Sequence, residues 1–358
     1  MKKTSAAAAI FLLWTAHYAG ARSVSPIRQT GQADDGKVLL RLHLVPGQSF
    51  HTVYTTDASM AFSALGRLFQ MENHAVISME NEVLGVSKDG SATVSSTITS
   101  INIASSQDGQ RIAYSSLTPR ADASPIGQYV GAFIGVPITI TYGADGTAKK
   151  IVGLDALRSR IAKSLRAFPA VSLPGATVAM KQTYADHPSQ ALIANAIGLP
   201  RRAVRIGDSW SLKSSARPAG FQGSDRIVFT LQDRLQGVDL VSIGLGGAAR
   251  RAVLATKSQG NSVSISFTCS GQREIDEATG WTTRGDIALS GTGKITVPDP
   301  SGEYDAISAP IAMTIKEHIV TTDLPGLDEQ VEITPDDSSS APRHQEPSPP
   351  DDGEVVVN

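Results

Sequence analysis

A single cysteine, Cys269, stands in a chain of 358 residues. No internal disulfide can form, so stability must come from an apolar core instead of covalent cross-links. Long hydrophobic runs are missing too. The N-terminal run from Ala6 to Trp14 gives way to Thr15, His17 and Tyr18, well short of the ~20 apolar residues that a membrane-spanning helix needs. Nor is there an excess of one charge. Without Lys2, Lys3 and the stretch from Pro335, which carries six acids and one Arg, 29 basic residues face 28 acidic ones. Nucleic-acid binding would require a clustered basic surplus, and this composition excludes it.

The patterns that carry chemistry are equally sparse. Away from the termini the histidines are His43, His51, His74, His187 and His318, none at the short spacing that puts two ligands on one helix face, and a zinc site is not expected. No G-x-S-x-G elbow marks a nucleophilic serine. Val238 to Ile243 followed by Gly244-Leu245-Gly246-Gly247-Ala248-Ala249 fits a strand and then G-x-G-x-x-A. A dinucleotide site would also need a following helix and an acid some ~20 positions on. Neither is present, since Arg250 to Thr256 runs into Lys257-Ser258-Gln259-Gly260-Asn261 and Ser262 to Ser266 carries no acid. Ser290-Gly291-Thr292-Gly293-Lys294-Ile295 fails as a phosphate loop, because Ala288 and Ile295 stand where that motif has Gly and Ser or Thr. Glu80 and Glu82 share one face of a strand and read as a solvated face, not a carboxylate pair. No catalytic, cofactor-binding or metal-binding residue is therefore named, no cofactor is expected, and the ligand-binding residues stay open.

What is present begins at the N-terminus. Lys2 and Lys3, the apolar run and Ala19-Gly20-Ala21 follow the order of a secretory signal, with cleavage expected after Ala21. A lipid anchor would need a cysteine just after it, and Cys269 is far away. The expectation is an exported protein without membrane span or lipid anchor, placed in the periplasm of a Gram-negative bacterium.

From Val38 onward, runs rich in Val, Ile, Thr and Ser alternate with Gly, Asp and Asn turns, the mark of antiparallel sheet. Leu40, Leu42 and Leu44 alternate with Arg41 and His43 before Pro46-Gly47 turns into Phe50 to Thr56. Ala75 to Val86 and Ala92 to Ile103 flank Lys88-Asp89-Gly90, and Ile138 to Tyr142 and Ala148 to Val152 flank Asp145-Gly146. Asp-Gly between alternating runs is a strong hairpin signal. A third hairpin is expected from Glu274 to Asp276 and Trp281 to Ile287, around Gly280. Cys269 closes the alternation Val263, Ile265, Phe267, Cys269, so its thiol is expected to be buried and inert.

Two helices interrupt the strands. Leu154, Leu157, Ile161, Leu165 and Phe168 fall in one stripe at helical spacing, with Arg160, Lys163 and Arg166 opposite, as in a helix that covers a sheet and keeps its basic side in water. A second is expected from Pro188 to Ile197, stopped by Gly198. Gly47-Gln48-Ser49-Phe50 and Gly207-Asp208-Ser209-Trp210 look like the same element in an internal duplication. The organisation predicted is a signal at 1–21, a linker at 22–37, a first β-rich half at 38–183, a second at 184–322 and an acidic Pro/Ser-rich tail at 323–358, too polar to order itself. The fold class is mainly β, with two related antiparallel curved sheets or half-barrels and central helices, or else one larger curved sheet.

Leu42 to Phe50, the Lys88-Asp89-Gly90 hairpin, Phe133-Ile134-Gly135-Val136-Pro137, Gly153-Leu154-Asp155 and Arg205-Ile206-Gly207-Asp208-Ser209-Trp210 occur in the order of a family of exported bacterial proteins known as a domain of unknown function. The chain resembles that family from Val38 to Val320, but lacks the lipobox cysteine of its many lipoprotein members. A looser similarity is to lipoprotein carriers whose half-open barrel is closed by helices around an apolar cavity. It implies a non-enzymatic protein holding an apolar small molecule or a partner's apolar segment on a concave sheet face. The alternatives are an envelope scaffold without a cavity and a hydrolase with a site assembled from distant residues. Intact-mass analysis of the exported protein is expected to show a chain starting at Arg22; a chain retaining Met1 to Ala21 would overturn the export signal.

Overall fold

The computed structural model of the chain describes residues 36–64, 67–107, 110–118, 125–167, 198–214, 225–235, 237–245, 250–255, 262–297 and 307–323. The signal at 1–21, the expected helix at Pro188 to Ile197 and the acidic tail from Pro335 lie outside them. Among the described residues thirteen strands make up the sheet: β1 (Ser49–Ala64), β2 (Arg67–Val86), β3 (Ala92–Gln107), β4 (Gln110–Ser115), β5 (Pro137–Tyr142), β6 (Ala148–Val152), β7 (Ser209–Ser214), β8 (Asp225–Leu235), β9 (Val238–Leu245), β10 (Arg250–Ala255), β11 (Ser262–Asp276), β12 (Thr282–Val297) and β13 (Ile307–Thr322). Two helices among the described residues, α1 (Pro125–Gly131) and α2 (Leu154–Ala167), join them. No described helix is long and apolar enough to cross a membrane.

The strands run in the order β6-β5-β3-β2-β1-β13-β12-β11-β9-β8-β7, with β4 beside β3 and β10 beside β11. All neighbours are antiparallel. The two halves thus do not make separate sheets. They form the single larger sheet, because β1 pairs with β13 from His51↔Thr322 to Phe62↔Ile311. The hairpins expected at Asp89-Gly90, Asp145-Gly146 and Gly280 are the turns β2–β3, β5–β6 and β11–β12. Local chemistry explains the first: Ser87 and Ser91 hydroxyls and the Ser91 amide all donate to the Asp89 carboxylate, and Gly90 takes φ +77°.

Side-chain alternation sets the register. On β1, Phe50, Thr52, Thr56 and Ala58 are buried while His51, Asp57 and Ser59 are exposed; on β13, Ile311, Met313, Ile315 and Ile319 are buried while Ala312 and Lys316 are exposed. A one-residue slip would turn every apolar side chain to water. The buried side is the inner face. Its main core gathers at the end of the sheet where β1 starts, around Phe50, Val83, Val94, Ile138, Ile140, Leu231, Val241, Ile275 and Trp281. Trp281 meets Phe50 and Tyr142 edge-on, with ring centroids at 4.9 and 5.7 Å. As expected, α2 places Leu157 and Ile161 in this core and leaves Arg160 and Lys163 exposed. Arg160 also donates to the Ile134 and Gly131 carbonyls, tying α2 to the end of α1.

The Leu40, Leu42, Leu44 alternation is real, and all three are buried, but the segment is a strap and not a sheet strand. It makes one bridge, Val38 with Val204, and single hydrogen bonds from the Leu42 amide to the Ala144 carbonyl (2.9 Å) and from the His43 amide to Thr279 (2.8 Å). Ala144 belongs to the β5–β6 turn and Val204 to the lead-in of β7. The strap therefore links the two outer edges of the sheet at the core end. Arg41 adds bonds to the Pro200 and Arg201 carbonyls, and the Leu199 amide donates to Asp145 (3.0 Å).

Gly280 shows how closely the strap passes. It adopts φ +67°, and a Cβ there would run into the Arg41 carbonyl group and the Leu42 nitrogen. Gly47 has φ +82° with nothing within 4 Å of a Cβ. Gly47→Ala should cost about 1–2 kcal/mol, the strain of a left-handed alanine, whereas Gly280→Ala should cost clearly more, roughly 3 kcal/mol or above, by displacing the strap. Urea midpoints check this, and equal losses would refute the clamp.

Candidate functional site

Strands of fifteen to twenty residues, as β1, β2, β3, β11, β12 and β13 are, are long for a globular sheet. They carry the inner face well beyond the main core. Following the register across β11, β12, β13 and β1, one inner row reads Arg273, Gly285, Ile319, Tyr54, and the next reads Gly271, Ile287, Glu317, Thr56. Two ionisable residues thus stand at positions whose neighbours along each strand are apolar or glycine.

Both are deeply buried, with Arg273 and Glu317 each 7% exposed. The Arg273 stem passes over Gly285, where a Cβ would sit in van der Waals contact, 3.4 Å from the Arg273 Cγ. Arg273 and Glu317 influence each other electrostatically, yet no ion pair within 4.0 Å joins them, and the Arg273 Nε is buried with no hydrogen-bond partner among the described residues. Burial pushes the Glu317 carboxyl up to about 7 against the pull of the Arg273 charge. Burial likewise lowers the Arg273 guanidinium, which Glu317, Tyr54 and Cys269 act to raise. Tyr54 is raised by burial, then by Glu317 and Tyr142, with Arg273 opposing.

Beyond the Glu317 row, toward the far end of the sheet, the inner face turns mainly apolar, with Asn73 and Ser105 as buried polar members. Ala58, Met71, Leu289, Met313 and Ile315 form a second buried cluster, flanked by Met60 and Cys269. Cys269 is half-buried at an inner position, and burial pushes its thiol up to about 11, which matches the inert thiol expected. Four of the six methionines, Met60, Met71, Met79 and Met313, occupy inner positions of β1, β2 and β13.

The outer face is different in kind. Its histidines pair with acids across strands: His74 with Asp57 (2.8 Å), His318 with Asp286 (2.8 Å) and, at the sheet end, His51 with Asp323 (2.9 Å). They are not brought together into a metal site, and no group of three metal-ligating side chains occurs among the described residues. A depression of about 610 Å³ opens here over Asp57, Glu72, His74, Ser106, Arg111 and Lys316. It is shallow and mixed in charge. Glu80 and Glu82 are exposed on the same face, the solvated pair that their spacing suggested.

The remaining sequence candidates resolve simply. Gly244 and Leu245 end β9, and the next element is β10, a strand where a dinucleotide site needs a helix. Ser290 to Ile295 lie within β12 and form no loop. Arg273 and Glu317 were not singled out by the sequence reading. The signal was there in parity: Glu317 shares its face with Ile315 and Ile319, and Arg273 with Gly271 and Ile275, so each charge sits on the apolar phase of its strand.

A family model described as a family of unknown function, DUF6263, matches residues 89–282, a little over half of the chain. No curated protein matches. Among solved structures, lipovitellin, studied for its lipid–protein interactions, aligns at 10% identity and a TM-score of 0.42, covering 80% of this chain and 27% of that one, so this chain spans about a quarter of lipovitellin's length. An outer membrane channel from Pseudomonas putida F1 aligns at 10% identity and TM-score 0.21 over 78% of this chain and 97% of that one. A DUF1329 family protein from Desulfovibrio piger gives 8% identity and TM-score 0.11 over 75% and 85%.

Between pH ~4.5 and ~7 the folded protein holds a proton on Glu317 that the unfolded chain has released. Stability should therefore fall as pH rises through that window, by up to about 3 kcal/mol for this group. Glu317→Gln mimics the protonated form and should remove that slope, leaving the variant more stable than the parent at pH 8. Thermal melts at pH 5 and pH 8 decide it; a variant less stable at pH 8 would show that the carboxylate is needed where it is.

Proposed function

The chain belongs to the DUF6263 family, whose function is unknown, and from that premise we propose that it is an exported periplasmic protein that holds an apolar ligand against the inner face of its curved sheet. One observation carries this reading: three methionines, Met60, Met71 and Met313, line the inner side of the three central strands in and beside an apolar cluster separate from the main core. Methionine is unbranched and polarisable, and surfaces built from it adapt to ligands of variable shape. The main core, by contrast, is made of Leu, Ile, Val and aromatic residues locked under the strap and α2.

Docking of a partner through a bare sheet edge has less support. Edge strand β6 is only five residues long and exposes Lys149 and Lys150, the short length and lysines that discourage strand addition. A hydrolase reading would draw on the histidine–aspartate pairs, but these lie apart from one another on the outer face, and none has its second ring nitrogen hydrogen-bonded among the described residues.

Native mass spectrometry of protein purified from its own host, before and after solvent extraction, tests the proposal. The expected spectrum shows one or more small apolar molecules that extraction removes. The bare polypeptide mass in repeated preparations would overturn it.

A further inference from the structure

Burying a charge without a partner is among the costlier things a fold can do. Buried polar groups in native proteins are almost always hydrogen-bonded, and one that is not asks what completes it. The Arg273 Nε is such an atom. The residue is 7% exposed, its Nε has no partner among the described residues, and the one acid near it, Glu317, is not within ion-pair distance. The guanidinium is held on the inner face by a stem laid over Gly285.

The surroundings are directional. On one side of the Arg273 row lies the closed main core; on the other, the row Gly271–Ile287–Glu317–Thr56 comes first, and then the rows Leu289–Ile315–Ala58–Asn73, Met313–Met60–Met71 and Ile311–Phe62–Phe69 follow in order along the strands. From Tyr54, in the Arg273 row, to Phe62 is a path of roughly 26 Å at about 3.3 Å per residue. One acyl chain spans about half of a ~30 Å bilayer core, so the whole path, whose apolar rows begin at Ala58, is long enough to hold one at full extension. A cation at one end of an apolar lane is complementary to a molecule with an anion at one end of an apolar chain.

We propose that Arg273 anchors the headgroup of a long-chain anionic amphiphile, a carboxylate or a phosphate monoester, whose chain lies along Leu289, Ile315, Met313, Met60 and Met71. The proposal rests on the apolar-ligand reading above and names its ligand class. Guanidinium suits either headgroup, since its donors pair with two oxygens at once. Above pH ~7, where its carboxyl is ionised, Glu317 is then the competitor that occupies the field of Arg273 when the site is empty.

The test titrates the delipidated full chain at pH 8 with oleate, with 1-oleoyl lysophosphatidate and with oleyl alcohol, three probes sharing one chain and differing in headgroup. Binding of one or both anions at least about tenfold tighter than the alcohol is expected, and the preference between carboxylate and phosphate identifies the headgroup. Arg273→Met should abolish the preference while keeping the alcohol affinity, Arg273→Lys should restore part of it, and Glu317→Gln should tighten the anions about threefold or more by removing the competing carboxylate. Melting curves establish that each variant is folded. Equal binding of oleate and oleyl alcohol, or a preference that survives Arg273→Met, would overturn the anchor and leave the apolar-ligand reading intact. Binding of none of the three would overturn both.

Discussion

Twelve cross-strand pairs, from His51↔Thr322 to Phe62↔Ile311, join the first strand of the chain to the last. Without them there would be two meanders, β1 to β6 and β7 to β13, each with a long unpaired strand at its open side. With them, the longest strands sit side by side in the centre and the short strands β6 and β7 form the rims. The inner face of the centre exists only because this pairing exists: Tyr54 and Met60 come from one end of the sequence, Glu317 and Met313 from the other. Closing a loop of that length is entropically affordable because the cost grows only with the logarithm of length. It does make folding slow, since nearly every neighbour on this seam is distant in sequence.

A sheet built this way still has two open rims, and the strap from Val38 to Leu44 deals with them at one end. Its bonds reach the β5–β6 turn on one rim and the approach to β7 on the other, while Leu40, Leu42 and Leu44 fill the space between. The polar contacts follow the same logic. Asp145, although partial burial works to raise its carboxyl, is held below the usual range by the Thr147 hydroxyl and amide and by the Arg201 charge. The turn of one rim thereby carries the anion that the other rim's arginine meets. The result is an asymmetric sheet, closed and aromatic at one end, methionine-lined toward the other.

The local elements were legible because their causes are local. Asp89-Gly90 and Asp145-Gly146 state their turns in the side chains that make them, and the Leu154 to Ile161 stripe states which side of α2 is buried. The joining of the halves was not legible, since nothing in Val53 or Val320 indicates that they are partners. The strap has the sequence pattern of a strand because alternation is what both give; the difference lies in whether neighbours offer a ladder or isolated carbonyls, and those carbonyls come from turns some hundred and more than two hundred residues away. Arg273 and Glu317 were legible in phase but not in place. Sequence parity puts each on an apolar face, while their approach to one another across Gly285 is a property of the assembled sheet.

Another group of buried charges in the same protein is arranged differently. At the β8–β9 end Arg234 donates to Asp239 at 3.2 Å and to Glu277 at 3.0 and 2.8 Å, and Asp239, fully buried and raised by desolvation and by Glu277, is held by that shared cation. Three charges on adjoining strands and a turn find one another there, although the second Asp239 carboxylate oxygen is buried with no partner among the described residues. On the inner face the spacing is different: the arginine and the glutamate lie in successive rows with Gly285 and Ile287 between their strands, close enough to feel each other and too far to bond. The Arg273 stem passes over Gly285 at contact distance, and the acid that acts on it stands one row on, at Glu317, instead of beneath it.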